Sequence, residues 1–451
     1  MSHERSGFSS RIGFVLATAG SAVGLGNIWR FPYLAAKYGG GSFLLIYLIL
    51  TLTFGFALMI TEVALGRKAG TSAINAFGHF NKKYTFIGYL TSFIPFIIFP
   101  YYCVIGGWVS KYVMVSLQGQ IHAASSDDFF TGFIGKTQEP ILYLLVFLLI
   151  TTIIVAFGVK GGIERVSTFL MPVLIVLLIG VSIFCITRPG ALAGVIYYLK
   201  PSLKHLGPTT FLAALGQLFY SMSLAMGIMI TFGSYMPKKS DLEKSVTQVE
   251  CFDTGVAFLA GLMIVPAVFV FSNGDSSMLA KGPSLMFVML PKVFDSMAFS
   301  NGISAVFFIL VLLAALTSSI SLLETLVAVL MDKFHMRRIP AVILLFFIAL
   351  LMALPSSLGY GALSGITIIG FSILDFFDFL SNSVLMPIAA FLTCIFTAYV
   401  IKPDIIVNEV ESSGKFHRKP LFLVMIKYIA PLCIIAILIF SVLEGLGIIT
   451  V

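Results

Sequence analysis

Apolar residues along the chain gather into eleven runs divided by short polar stretches: 12–36, 41–66, 86–117, 140–157, 166–187, 208–235, 246–272, 302–331, 340–358, 366–401 and 420–447. A helix rises ~1.5 Å per residue, so about twenty apolar residues cross the ~30 Å hydrocarbon core of a bilayer. The pattern predicts an all-α polytopic membrane protein with eleven spanning helices. The first run departs from it. The stretch Gly20-Ser-Ala-Val-Gly-Leu-Gly-Asn-Ile-Trp-Arg-Phe-Pro32 carries glycines at 20, 24 and 26, then Asn27, Arg30 and Pro32. Each glycine weakens a helix by ~1 kcal/mol relative to alanine, so a helix broken at membrane depth is predicted. Irregular backbone is tolerated there only where protein buries it or it lines a cavity. Freed carbonyls can hold a cation, and freed N–H groups at a half-helix start can hold a carboxylate. A glycine-rich packing face accounts for Gly20 and Gly24 but not for Asn27 beside Arg30.

The chain's 451 residues are 59% hydrophobic and 11% charged, with a mean hydropathy of +1.03. That excludes an ordinary soluble domain. The net charge of +8 sits in short clusters between apolar runs and reads as a topology signal, not a nucleic-acid footprint. With a cytoplasmic N-terminus, eighteen Lys and Arg residues fall inside and eight outside, as the positive-inside rule asks. Eleven spans then put the C-terminus outside, in a multi-pass protein of the plasma membrane (cell inner membrane). Lys111 and Lys427 are left within spans, where their stems can snorkel. Arg5 and Arg11 before an apolar run could pass for a signal peptide, but that run continues into the Gly/Asn/Arg stretch and reads as the first span. Five cysteines without paired spacing suggest neither a disulfide framework nor a metal site. No Ser/His/Asp set, metal-ligand cluster or nucleotide motif is legible, which argues against an enzyme.

The sixth run holds a second interruption, Ser221-Met-Ser-Leu-Ala-Met-Gly227, with Gln217, Tyr220, Ser221 and Ser223 around it. A polar patch packed against neighbouring helices is the plainer reading. Interrupted spans in matching places of two halves are the pointer to an inverted-repeat transporter. The single transporter domain, 1–451, then divides into repeat one at about 11–187, repeat two at about 208–401, and a peripheral eleventh span at about 420–447.

On Gly20 to Pro32 with Gly39-Gly-Gly41, on Gln217 to Gly227, and on Leu316-Thr-Ser-Ser-Ile320, the chain resembles the neurotransmitter:sodium symporter family. Within it, the likeness is to the bacterial eleven-span amino acid transporters, and it covers essentially the whole chain. The resemblance implies a five-plus-five inverted repeat with substrate and sodium midway through the membrane. Sodium is a hard cation that wants oxygen ligands. One implied site takes the Gly20, Val23 and Ala314 carbonyls and the Thr317 and Ser318 hydroxyls. The other takes the Ala22 carbonyl, the Asn27 side chain, Ser221, Asp253 and the substrate carboxylate, which would couple ion to substrate. On spacing alone Thr317 and Ser318 read as hydroxyls bonded back to the preceding turn. Asp253 stands where the best-known bacterial pattern has asparagine. Animal relatives use chloride near Tyr47, Gln217, Ser221 and position 253, with a serine four residues on, where this chain has Ala257. A carboxylate at 253 would supply that charge itself, so chloride is not expected. An intramembrane acid is costly unless it is paired or functional.

By the same likeness, the substrate would meet Ala22, Gly24, Gly26, Tyr102, Ser221 and Ser318, with Ile98, Tyr220, Ser223, Met226 and Leu322 around its side chain. Singly, such residues are ordinary core. Gly24 stands where monoamine transporters carry an aspartate, which favours a zwitterionic amino acid. Arg30 and Asp378 match the family's outer gate. Arg5 and Asp332 match its inner gate, or else are solvated ends, with Phe8 where tryptophan is usual and Glu324 near Tyr235. Gly162 and Pro172 have the spacing that eleven-span relatives use to unwind the fifth span; a plain proline kink is the alternative. The expectation is a sodium-coupled importer of hydrophobic amino acids, working by alternating access. The alternative is a sensor or channel on the same fold.

Overall fold

The computed structural model describes residues 7–272, 284–445 and 448; Arg5 lies outside them. Among the described residues, nine helices are long and apolar enough to cross a membrane: Gly41–Ala69, Lys82–Leu117, Gln138–Ala156, Val159–Ile186, Leu242–Phe271, Ser300–Phe334, Arg338–Leu358, Ile373–Val400 and Lys419–Gly445. Two spans are built from half-helices. Arg11–Ala22 and Gly26–Lys37 meet at a 55° bend and form span 1. Pro208–Ser221 and Ile228–Tyr235, at ~21 and ~12 Å each too short to cross alone, form span 6. The helices named above are then spans 2–5 and 7–11 in chain order, and the protein is an all-helical membrane protein.

Local chemistry starts and stops these helices. The Ser10 hydroxyl accepts from the Gly13 N–H at 3.0 Å, and the Asp241 carboxylate accepts from the Lys244 N–H at 2.9 Å. Both satisfy donors that an open helix start leaves bare. Span 10 begins at Ile373, seven residues later than the apolar run suggests. Ile368 and Phe371 form a β-bridge, Ile369 and Gly370 take positive φ, and Ser372 then caps the helix by accepting from Asp375 N at 3.2 Å. Apolar residues at 366–372 thus belong to a turn. Short amphipathic helices such as Ala73–Phe80, Asp127–Ile134 and Asp404–Glu411 have no counterpart in the run-length reading, because they are too short to register as spans.

Spans 3 and 8 form the centre: 89% and 78% of their most apolar stretches are buried inside the protein, against 33% for span 5 and 39% for spans 4, 9 and 11. Lys111, expected to snorkel, reaches Glu139 Oε1 at 2.5 Å and lies between 5.7 and 5.9 Å from the ring centroids of Phe129, Phe133 and Tyr143. Glu139 lies in the first turn of span 4 and also pairs with the exposed Lys136 at 2.9 Å, so the Lys111 ammonium reaches a carboxylate at the end of a span.

Candidate functional site

The two helix breaks face each other and hold each other open. In span 6, Ser223, Ala225 and Gly227 take φ of 52°, 62° and 72°, a left-handed region that costs a non-glycine residue energy. The surroundings supply bonds that require it. Ser223 Oγ donates to the Ser21 carbonyl at 2.9 Å, and Ala225 N donates to Glu62 Oε1 at 2.8 Å. Glu62 Oε2 is buried without a partner. Gln217 Nε2 donates to the freed Gly26 carbonyl at 2.9 Å.

A 40 Å³ cavity lies between the breaks. Of the eleven residues expected around a substrate, ten border it: Ala22, Gly24, Gly26, Ile98, Tyr102, Tyr220, Ser223, Met226, Ser318 and Leu322. Ser221 does not; it has turned onto Asp253. Ser21, Leu25, Ile228 and Asn382 complete the lining and were not anticipated. The Tyr102 hydroxyl is buried beside the Ser318 hydroxyl and the Leu25 N–H but makes no well-formed hydrogen bond to either. Gly24 and Gly26 are glycines for want of space. A Cβ on Gly24 would come 2.7 Å from Ser318 Oγ and 3.2 Å from the Tyr102 hydroxyl, and one on Gly26 would come 2.5 Å from the Tyr220 ring.

Beside this cavity lies a cluster of oxygens. Ser318 Oγ is 3.1 Å from the Ser21 carbonyl, 3.3 Å from that of Val23 and 3.5 Å from that of Gly20. Thr317 Oγ1 is 3.0 Å from the Ala314 carbonyl, and the Thr317 side chain packs where a Cβ on Gly20 would fall. Of the five oxygens expected to surround one sodium, Ser318 Oγ thus meets the Gly20 and Val23 carbonyls across the two spans, while Thr317 Oγ1 bonds back to Leu313 and Ala314 on its own helix. Each hydroxyl here donates to a carbonyl, and all of these oxygens could turn a lone pair to a hard cation.

A second polar cluster centres on Asp253, fully buried on span 7. Its Oδ1 accepts from Asn27 Nδ2 at 2.7 Å and from Ser221 Oγ at 3.0 Å. Its Oδ2 accepts from the Tyr47 hydroxyl at 3.3 Å. Asn27 Oδ1 in turn accepts from Gly24 N at 3.1 Å. Asn27, Ser221 and Asp253 are thus one unit, and Ala257 nearby adds no hydroxyl.

Tyr220 also borders a 310 Å³ vestibule lined by Arg30, Tyr33, Asp375, Asp378 and Glu444 among others. Arg30 lies over the Tyr220 ring, 5.0 Å from its centroid. Arg30 and Asp378 face this space without an ion pair within 4.0 Å. Asp378 Oδ1 instead accepts from Asn382 Nδ2 at 2.7 Å and the Tyr101 hydroxyl at 3.2 Å.

The opposite end is densely closed. Phe8 packs edge-on against Phe14, Phe232 and Tyr235. The Tyr235 hydroxyl donates to Glu324 at 2.7 Å, and Arg338 bonds both Glu324 oxygens at 2.5 and 2.8 Å. Asp332 accepts from Thr71 Oγ1 at 2.8 Å and Ser72 N at 2.7 Å. Span 5 starts as a widened turn, Val159–Glu164, in which a side chain on Gly162 would strike the Ile154 carbonyl; Pro172 lies inside the helix that follows. Glu164 accepts from Ser9 N at 2.8 Å and Ser9 Oγ at 2.6 Å, tying this turn to the start of span 1. Glu62 and Glu164 escaped the sequence reading; for Glu62 the signal was there, a lone acid inside an apolar span.

A family model described as the sodium:neurotransmitter symporter family matches residues 5–133 and 131–446. The chain belongs to this family. It is 35% identical over 452 residues to an uncharacterized sodium-dependent transporter of Haemophilus influenzae, covering 97% of this chain and 98% of that one. It is also 35% identical over 440 residues to the uncharacterized sodium-dependent transporter YhdH of Bacillus subtilis, covering 95% and 96%. The crystal structure of MhsT in complex with L-phenylalanine superposes with a TM-score of 0.87 at 38% identity, covering 97% of this chain and 99% of that one. The symporter is therefore a sodium-dependent membrane transporter, not an enzyme.

Proposed function

We propose that this symporter imports hydrophobic L-amino acids, aliphatic and aromatic, with sodium by alternating access. The observation that carries the reading is the cavity between the breaks. Its rim offers an unsatisfied tyrosine hydroxyl and backbone of two interrupted helices, its wall is Ile98, Tyr220, Met226 and Leu322, and no acid lines it among the described residues. A zwitterion fits such a site: carboxylate at the Tyr102 hydroxyl and the N–H groups of the span 1 break, ammonium at freed carbonyls. The phenylalanine bound by MhsT supports the same class of substrate here.

Two sodium ions accompany it, one among Gly20, Val23, Ala314, Thr317 and Ser318, the other at Ala22, Asn27, Ser221, Asp253 and the substrate carboxylate. The second ion makes substrate and sodium share one binding free energy. Asp253 supplies the fixed negative charge, so chloride is not a partner. Spans 1–5 and 6–10 are two inverted halves, the N-terminus is cytoplasmic, the C-terminus lies outside, and the membrane is the plasma membrane. The vestibule at Arg30 and Asp378 is then the outer approach, and Arg5, Asp332 and the Phe8 packing belong to the inner closure. Gly162 and Pro172 let the start of span 5 unwind toward the cytoplasm.

Binding of labelled leucine and phenylalanine to the purified protein, in sodium and in choline, tests this reading. Sodium raises affinity at least tenfold, on the order of ~1.4 kcal/mol of coupling, and Asn27→Leu abolishes the difference. Equal affinity in sodium and choline, or strongest competition by glycine or a charged amino acid, overturns it.

A further inference from the structure

Away from the transport site, the membrane-facing surface carries a 260 Å³ groove bordered by Tyr89, Ser92 and Phe96 of span 3, Leu330 of span 8 and Leu345 of span 9. Tyr89 and Phe93 at its mouth are 46% and 50% exposed. The groove is apolar apart from two features. Ser92 Oγ borders it, is buried, and has no hydrogen-bond partner, and the residue is only 6% exposed. A buried hydroxyl without a partner is costly, and this one lacks even the back-bond to its own helix that Thr91 makes. The second feature is charge. Lys333 Nζ lies over the Tyr89 ring, 5.1 Å from its centroid, with no carboxylate within 4.0 Å among the described residues. The nearest acid in sequence, Asp332, is turned to Thr71 and Ser72. Lys82 and Lys83, both exposed, begin span 3 at the same end.

Depth fixes the kind of molecule. Lys333 is the next-to-last residue of span 8, Ser300–Phe334, so its contact with Tyr89 marks the edge of the hydrocarbon core, and Phe96, seven residues further along span 3, lies ~10 Å deeper, within one leaflet of a core ~30 Å thick. The groove from Tyr89 to Phe96 therefore occupies the leaflet at the Lys82 end. Ser92 lies one helical turn deeper than the Tyr89–Lys333 contact. The glycerol of a phospholipid sets its ester carbonyls one such step below its phosphate. We propose that this groove binds one anionic glycerophospholipid, its phosphate at Lys333, an ester carbonyl accepting from Ser92, and an acyl chain along Phe96, Leu330 and Leu345. A single basic side chain at a membrane surface discriminates for an anionic headgroup about fivefold, and a net hydrogen bond from Ser92 strengthens retention of any glycerophospholipid by a comparable factor.

Native mass spectrometry of the full-length, delipidated protein tests this, with palmitoyl-oleoyl phosphatidylglycerol or phosphatidylcholine added. The expected result is one retained phosphatidylglycerol per protein, held about fivefold more tightly than phosphatidylcholine. Lys333→Ala, a change to an exposed side chain, removes the headgroup preference. Ser92→Ala, which removes only the hydroxyl, weakens retention of both lipids. Leu330→Trp, which fills the groove, abolishes retention, and Lys160→Ala, at the start of span 5, changes nothing. Equal retention of the two lipids by the wild type overturns the proposal. So does retention unaffected by Leu330→Trp, or a loss of preference in Lys160→Ala as large as that in Lys333→Ala.

Discussion

Asn27 Nδ2 lies 2.7 Å from Asp253 Oδ1, so the break in span 1 is tied to an intramembrane carboxylate 226 residues away. The same carboxylate accepts from Ser221 at the end of the first half of span 6. One charge therefore fixes the spacing of both broken helices, and any ion seated beside Asn27 is sensed by all three elements.

Asp253→Asn removes that charge while keeping the shape. Transport by the wild-type protein is expected to be the same in chloride and in gluconate. In the variant, turnover falls severalfold in gluconate and recovers when chloride is added, because an anion replaces the lost charge beside Tyr47 and Ser221. Proteoliposome uptake in the two salts measures it, and a chloride requirement in the wild type contradicts the role given to Asp253.

Gly24→Ala tests the fit at the site. Its methyl would lie 2.7 Å from Ser318 Oγ, which is held among the span 1 carbonyls and cannot retreat freely. Amino acid binding is expected to weaken at least tenfold, on the order of 1–3 kcal/mol of overpacking. Gly180→Ala, where a Cβ meets nothing within 4 Å, leaves binding intact. Saturation binding of a labelled amino acid separates the two.

Met226 lines the cavity between the breaks. Methionine is unbranched and moves aside for rings of differing size. Met226→Phe shifts the preference from aromatic to aliphatic amino acids by about tenfold. An unchanged ratio of phenylalanine to leucine competition removes Met226 from that role.

Pro172→Ala strengthens a helix that the proline leaves one backbone bond short. Sodium-dependent binding persists while turnover slows, since opening toward release limits many transport and enzymatic cycles. Loss of binding with unchanged turnover per bound substrate refutes the hinge.

Arg67 and Glu409 predict stability. The guanidinium is fully buried and the carboxylate nearly so, 2.8 Å apart, and Arg67 also donates to Ser240 O and Ser413 Oγ at 2.8 and 3.1 Å. Glu409→Ala strands a buried charge and costs about 3–5 kcal/mol, read as a lower melting midpoint in detergent. Arg67→Lys does not substitute for the native residue, because an ammonium cannot reach these partners with the fork of a guanidinium.

The sequence by itself determined the spans, the break at Gly20 to Pro32 and the residue types available at the site. A bilayer offers the backbone no outside partner, so each crossing must be a helix that satisfies itself, and that requirement is written locally, residue by residue. Where the chain was apolar but not at depth, as at 366–372, run length overreached and a serine cap decided the start. Tertiary packing alone decided what polar side chains face. Ser221 turned away from the cavity onto Asp253, Lys111 found Glu139 at the start of span 4, Arg30 settled over Tyr220 instead of pairing with Asp378, and Glu62 came to lie beneath the Ala225 N–H. Each of these contacts joins residues tens to hundreds of positions apart: 28 for Lys111 and Glu139, 32 for Ser221 and Asp253 and 163 for Ala225 and Glu62. Inside a membrane protein a polar group takes whichever partner the packing of other helices brings within reach, and no local pattern specifies that partner.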